Sequence, residues 1–306
     1  MKKLIFVITL IAGITGLGHA QIEPTKELMK FYTPEWEGER DESGRPIVPD
    51  ELLDRLLNLS IEEAWGVIRG EGYHNQFEGG WTTINDEPFV GRALTVQYSP
   101  TRPDIKEKIE ELGKKQGRIG ASNSWPIDML KERDIYVADG WGKVIDGTLI
   151  GDNLANSIYA KSKTGVVFDA GARDLEGMSK INGFNAFTRG FDPSFIVGMT
   201  VTGINVPIRI GRAAVSPGDV VLAKREGVIF IPAHLVEKVV LTGEFIGLRD
   251  KFGHEMLRQG VYTPGQIDTQ WTDEIKTAFI EWLDENQDEL PMSREELDEY
   301  MKNRTW

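Results

Sequence analysis

Gly165-Val166-Val167-Phe168-Asp169-Ala170-Gly171-Ala172-Arg173-Asp174, taken with the earlier Gly151-Asp152-Asn153-Leu154, decides the fold. Residues 165–168 form a short apolar run, the length of a buried strand. Residues 153–163 place Leu154, Ala155 and Ile158 on one helical face. A glycine turn therefore opens a helix, a strand follows, and the strand ends in a glycine-containing loop. Helix and strand in alternation are the signature of an α/β fold. The first N–H groups of such a helix have no intrahelical partner and make a place for an anion. Ligand sites in open α/β folds favour the carboxyl ends of strands, where Arg173 and Asp174 lie. An arginine can clamp a carboxylate with two parallel hydrogen bonds. An aspartate can hold a hard cation that keeps several waters, as Mg²⁺ does. From the residues alone a plainer reading also stands. Arg173-Asp174 can be a surface ion pair, and Asp152 a cap or first-turn acid.

Working outward, residues 89–98, 134–138, 186–188, 201–210 and 220–231 are rich in strand formers. Pro217-Gly218-Asp219 is a turn before the last of these, and Glu226-Gly227 interrupts it. Residues 51–57 and 104–116 read as helices. Ser60-Ile61-Glu62-Glu63 is a capping box for a helix over 61–69, ended by Gly70 and Gly72. Gly79-Gly80 marks a turn. Beyond Ala233 the pattern turns helical. Ile275, Phe279 and Trp282 share a face, and Ser293 with Glu296 forms a second capping box. The expected organisation is one α/β domain over 50–232, an extended N-terminal arm over 21–49 (Pro24, Pro34, Pro46, Pro49), and a C-terminal helical extension over 233–306. Trp271, Trp282 and Trp306 of that extension are expected to cover the core or an interface.

The chain has 306 residues, 35 Lys+Arg against 48 Asp+Glu, a net charge of −13 and no cysteine. Its 40% apolar content supports a packed core. Without cysteine there is no disulfide framework, iron–sulfur centre or thiol nucleophile. The acidic balance argues against a nucleic-acid partner, since phosphate contacts need clustered Lys and Arg. Residues 1–20 read as a signal peptide. Lys2 and Lys3 precede an apolar run from Leu4 to Leu17, then Gly18-His19-Ala20 offers a cleavage site after Ala20. The run is shorter than the roughly 20 residues of a membrane span. The expected location is periplasmic or secreted, with no membrane association after cleavage.

Past residue 20 the histidines are His74, His234 and His254, widely spaced. No His-Glu-x-x-His, nucleophile elbow, P-loop or Gly-x-Gly-x-x-Gly is present, so zinc hydrolase, α/β-hydrolase and nucleotide motifs are missing.

The order of the motifs resembles the class II 4-hydroxy-4-methyl-2-oxoglutarate aldolase family, which includes the regulator of ribonuclease E activity A. The resemblance is carried by Phe89-Val90-Gly91-Arg92-Ala93-Leu94-Thr95-Val96, Gly151-Asp152-Asn153-Leu154 and Asp169-Ala170-Gly171-Ala172-Arg173-Asp174. Val215-Ser216-Pro217-Gly218-Asp219 and Gly227-Val228-Ile229-Phe230-Ile231-Pro232 complete it. It covers about residues 55–235. It implies an RraA-like α/β sandwich with a swivelling-domain-like core, assembled as a homotrimer or hexamer with sites between subunits. It implies that Arg173 binds the carboxylate and keto oxygen of a 2-oxo acid. By the same resemblance Asp174 ligates Mg²⁺ or Mn²⁺, Gly151 and the N–H groups of Asn153 and Leu154 hold the pyruvyl carboxylate, and Asp152 supports proton transfer. Ala170 stands where the family has glycine, and Lys224-Arg225 stand where it often has acids.

The implied activity is retro-aldol cleavage or β-decarboxylation of a 2-oxo acid through a pyruvate enolate, without a Schiff-base lysine. A non-catalytic interaction protein, exported from the cytoplasm, is the alternative. Another metal-enolate enzyme acting on a sugar acid is a third reading.

Overall fold

Along the stretch from Phe89 to Tyr98, alternate side chains part to two faces of a sheet. Val90, Leu94, Val96 and Tyr98 enter apolar clusters beneath helices. Phe89 and Ala93 enter a cluster on the opposite face. The computed structural model describes residues 22–85 and 87–302, so residues 1–20, expected to be a signal peptide, and Trp306 lie outside the described residues.

In chain order the first half comprises α1 (Lys26–Tyr32), α2 (Asp50–Leu56), α3 (Ile61–Gly70), β1 (Phe77–Glu78), β2 (Thr82–Ile84), β3 (Phe89–Pro100), α4 (Pro103–Lys115), α5 (Trp125–Met129), β4 (Asp134–Thr148) and α6 (Asp152–Ser162). Next come β5 (Val166–Ala172), α7 (Leu175–Met178), β6 (Ala186–Thr188), β7 (Gly190–Phe191), β8 (Met199–Ile204), β9 (Ile208–Ile210), β10 (Ala213–Val215), β11 (Val220–Lys224) and β12 (Gly227–Ile231). Helices α8 (Val236–Gln259), α9 (Pro264–Ile267), α10 (Asp273–Glu285) and α11 (Arg294–Lys302) close the chain.

The main sheet runs β1-β12-β11-β3-β4-β5-β6-β2, with β7 on β5 and β8 on β3. Strands β3 to β6 are parallel, and β8, β11 and β12 join antiparallel. One face carries α5 and α6 over β3–β5, and α2, α3 and α8 over β11 and β12. The other face packs Ile135, Val137, Val167 and Phe187 beneath the β9–β10 hairpin. The result is the expected α/β sandwich with a C-terminal helical region. Among the described residues no helix is long and apolar enough to cross a membrane.

Several elements differ from expectation. The run over 201–210 is broken into β8 and β9 at Asn205, whose φ is 56°. Asparagine tolerates that left-handed geometry. Its N–H donates to the Thr95 carbonyl (2.7 Å), and the Thr95 hydroxyl donates to the Val206 carbonyl (2.6 Å). The run over 220–231 folds back as a hairpin pairing Lys224 with Gly227.

The arm over 21–49 is more ordered than its prolines suggest. Thr25 caps α1, and Met29 and Val48 are fully buried. Arg45 is 4% exposed and donates to Asp134 at 2.8 Å, with Asp41 at 3.3 Å. An arginine held between two buried carboxylates ties the arm to the start of β4. Arg92 adds bonds to the Val48 carbonyl and Asp50, both 2.7 Å.

The C-terminal helices bury a cluster of their own: Phe245, Phe252, Trp271, Phe279, Trp282 and Leu297. Trp271 and Trp282 are buried there rather than spread over the core. Arg55 of α2 joins this region through Glu244 (2.6 Å) and Glu296 (3.1 Å).

Candidate active site

The parallel sheet places the end of β5 beside the start of α6. The Leu149 N–H donates to the Gly171 carbonyl (2.9 Å), and the Arg173 N–H donates to the Ile150 carbonyl (3.1 Å). These bonds set Gly151, the N-cap of α6, directly against Arg173 and Asp174. A Cβ on Gly151 would overlap Asp174 Oδ2 and lie 3.1 Å from Arg173 Nε. Only glycine leaves the Asp174 carboxylate its place.

Asp174 itself has φ 58° and ψ 42° and caps α7, so the chain turns sharply there. Gly177 of that short helix makes room for a second carboxylate, since a Cβ on it would lie 2.5 Å from Asp152 Oδ2. Two glycines, the N-cap of α6 and one within α7, thus leave room for the carboxylates of Asp174 and Asp152.

The first intrahelical bond of α6 runs from the Ala155 N–H to the Gly151 carbonyl (3.0 Å). The N–H groups of Asp152, Asn153 and Leu154 therefore have no helix carbonyl to donate to. Arg173 Nε donates to Asp174 Oδ2 at 3.2 Å. Among the described residues neither terminal nitrogen of Arg173 has a partner, which leaves a two-pronged donor for a carboxylate. The Arg173 and Asp174 side chains are 35% and 45% exposed, so this site is open on one side.

Among the described residues no group of three or more His, Cys, Asp or Glu side chains is arranged around a metal position. Asp152 and Asp174 offer oxygen donors only. A hard cation held by one or two carboxylates and completed by water fits that set, which is the habit of Mg²⁺ rather than of zinc.

Other motif residues serve joints rather than chemistry. Asp169 is buried and accepts from Arg189 Nε at 2.6 Å. Arg189 also donates to Glu78 (2.8 Å) and the Gly79 carbonyl (3.0 Å) and lies 4.1 Å over the Trp81 ring. This clamp pins the β1–β2 turn to β5 and was not legible from spacing, because Glu78 and Gly79 lie over 100 residues from Arg189. Asp139 stands opposite Asp169 in register. Burial raises its carboxyl, and the Asp169 charge adds to this against the Trp141 N–H and Arg209. Asp219 closes the Pro217-Gly218 turn by accepting from the Ser216 N–H at 2.7 Å.

The RraA-like family model (Aldolase/RraA) matches residues 60–230. Protein DlpA of Legionella pneumophila is 26% identical over 202 residues, 62% of this chain but 29% of its own length. The chain thus spans under a third of that relative. A protein of Alcanivorax borkumensis, provisionally named a 4-hydroxy-4-methyl-2-oxoglutarate aldolase, is 29% identical over 150 residues, covering 49% of this chain and 81% of that one. The crystal structure of Streptomyces coelicolor RraAS2, described as an unusual member of the RNase ES inhibitor RraA protein family, superposes with a TM-score of 0.55 at 20% identity. It covers 73% of this chain and 98% of that one, and shows a shared fold. With more than half of its length matched by the family model, the chain belongs to the RraA-like family.

Proposed function

We propose that the chain is a divalent-metal-dependent lyase that cleaves a C–C bond of a 2-oxo acid. The substrates are 4-hydroxy-4-methyl-2-oxoglutarate-like acids, oxaloacetate, or both. The observation that carries this reading is the convergence over Gly151 of Arg173, Asp174 and the unpartnered N–H groups of α6.

A divalent cation at Asp174 would supply Lewis-acid polarisation of the 2-oxo oxygen. The chain's own residues do the rest. The terminal nitrogens of Arg173 hold the substrate carboxylate and the keto oxygen, with the N–H groups of Asn153 and Leu154 alongside. These donors are in place before the reaction and face the oxygen that gathers charge as the bond breaks. Asp152 accepts the proton of the 4-hydroxyl, directly or through one water. The electron pair of the broken bond passes to the pyruvyl carbon, which is then protonated to give pyruvate. In the decarboxylation the same pair is released as carbon dioxide leaves, and no hydroxyl proton moves.

The half-exposed Arg173 and Asp174 suit a site completed by a neighbouring copy in a homotrimer or hexamer, measurable by light scattering. Export is proposed on residues 1–20, and N-terminal sequencing of the exported protein is expected to begin at Gln21.

The test is a screen of 2-oxo and 4-hydroxy-2-oxo acids coupled to pyruvate detection. Pyruvate release is expected with Mg²⁺, abolished by EDTA and restored by added metal. A protein that neither binds Mg²⁺ nor releases pyruvate from any acid would instead favour a non-catalytic interaction role.

A further inference from the structure

Where the N-terminal arm lies on the core, the two form a partly open cavity of about 250 Å³. The arm contributes Tyr32, Glu35 and Trp36 to its wall, and the core contributes Tyr73, Asp219 and His234. The arm side is built rigidly. Arg40 Nη1 donates to the Thr33 hydroxyl (2.7 Å), and Nη2 donates to the Thr33 and Trp36 carbonyls (2.8 and 2.7 Å). On the core side the Tyr73 hydroxyl and His234 Nε2 are hydrogen-bonded at 3.3 Å.

Asp219 is 5% exposed. Its hydrogen-bond partners are the N–H groups of Ser216 and Ala233, both neutral. No lysine or arginine lines the cavity. Burial pushes the Asp219 carboxyl up to about 7, with those two N–H groups opposing. A carboxyl buried beside open space without a counter-ion is costly, and a cation entering the space would offset that cost.

The wall chemistry selects among ligands. An anion would face Asp219 and Glu35 with no lysine or arginine to hold it, and burial holds the His234 imidazole below its ordinary value. Among the described residues a hard metal ion lacks a cluster of ligands. A purely apolar molecule would leave Asp219 unneutralised. Three aromatic side chains around a carboxyl suit an organic cation, which aromatic faces attract and a carboxylate neutralises. The volume lies below the roughly 300–1,000 Å³ of drug-sized pockets, so the ligand is compact.

We propose that this cavity binds a small organic ammonium ion, with Asp219 as its counter-ion and Tyr32, Trp36 and Tyr73 as its aromatic wall. The site shares no lining residue with Arg173 and Asp174 and does not depend on the lyase reading.

The test is calorimetric titration of the full chain with choline, ethanolamine and tetramethylammonium, and with 3,3-dimethylbutan-1-ol as the uncharged isostere of choline. At least one cation is expected to saturate a single site, with the isostere about tenfold weaker or worse. Asp219→Asn is expected to lose this binding. Because Asp219 also closes a turn, Trp36→Leu serves as the second variant and is expected to weaken binding about tenfold. Arg173→Ala is expected to bind as the native chain does. Absence of saturable binding by all three cations would overturn the proposal. So would equal binding of the isostere, undiminished binding in Trp36→Leu, or loss of binding in Arg173→Ala.

Discussion

At the scale of residues, the candidate site is set by what two glycines leave empty. Gly151 and Gly177 give up side-chain volume to the carboxylates of Asp174 and Asp152. Arg173 and Asp174 are partly exposed and make few internal contacts, so truncating Arg173 should cost about 0.5 kcal/mol of stability or less, and truncating Asp174, whose φ is 58°, about 1 kcal/mol. We predict that Arg173→Ala and Asp174→Ala each lower pyruvate turnover by about 10²-fold or more, in line with removal of a preorganised charge or donor. Steady-state kinetics beside thermal melts checks this, and retained turnover in both variants would move the site elsewhere.

Asp219 makes a separate prediction. Its carboxyl, at about 7 when folded, lies above the ordinary value near ~3.9. Below the ordinary value both states hold the proton, and the contribution to stability is full. As pH rises toward 7 the unfolded chain ionises first, so stability falls, and above 7 the loss is complete. Urea midpoints measured across this window should fall less steeply in Asp219→Asn than in the native chain. Parallel profiles would show that Asp219 ionises freely.

At the scale of elements, the N-terminal arm shows how a polar, proline-bearing segment acquires order from its surroundings. Its sequence has little periodicity, yet Met29, Val48 and Arg45 are buried against the core. The Arg45–Asp134 contact is the strongest link, because both groups have left water. We predict that Arg45→Met costs about 3 kcal/mol, the lower end for breaking a buried pair. Arg92 Nε, 4.0 Å from the other oxygen of Asp134, compensates in part. Denaturant unfolding checks this, and a loss under about 1 kcal/mol would mean that the arm is held by its apolar contacts alone.

Most helices and strands were legible in the sequence, since capping boxes and apolar periodicity act within a few residues, but α1, α5 and α7 were not. The break at Asn205 was not, because its stabilising bonds come from Thr95, far away in the chain. The bond from Arg189 to Glu78, which completes its clamp on Asp169, was hidden for the same reason.

At the scale of the whole molecule, the apolar clusters matter for different purposes. Those around the sheet position the site, while the C-terminal helices pack Phe245, Phe252, Phe279 and Trp282 into a separate one. Phe279 is fully buried between Trp271 and Trp282, with ring centroids at 5.4 and 6.2 Å. We predict that Phe279→Ala costs about 3–5 kcal/mol. Turnover well below the melting temperature should stay unchanged, because the lost contacts lie in the C-terminal cluster. Paired melts and kinetics check this, and a fall in turnover without a fall in stability would tie the extension to catalysis.

The sequence by itself determined the family, the α/β alternation, the C-terminal helical region and the residue types of the candidate site. These follow from local periodicity, capping and the order of short motifs. Only the tertiary structure decided that Gly151 lies under Asp174, that Gly177 admits Asp152, and that the arm walls a cavity over Asp219. Such juxtapositions depend on strand register and on packing between segments distant in the chain, and no pattern within a few residues of any one of them encodes where the others will stand.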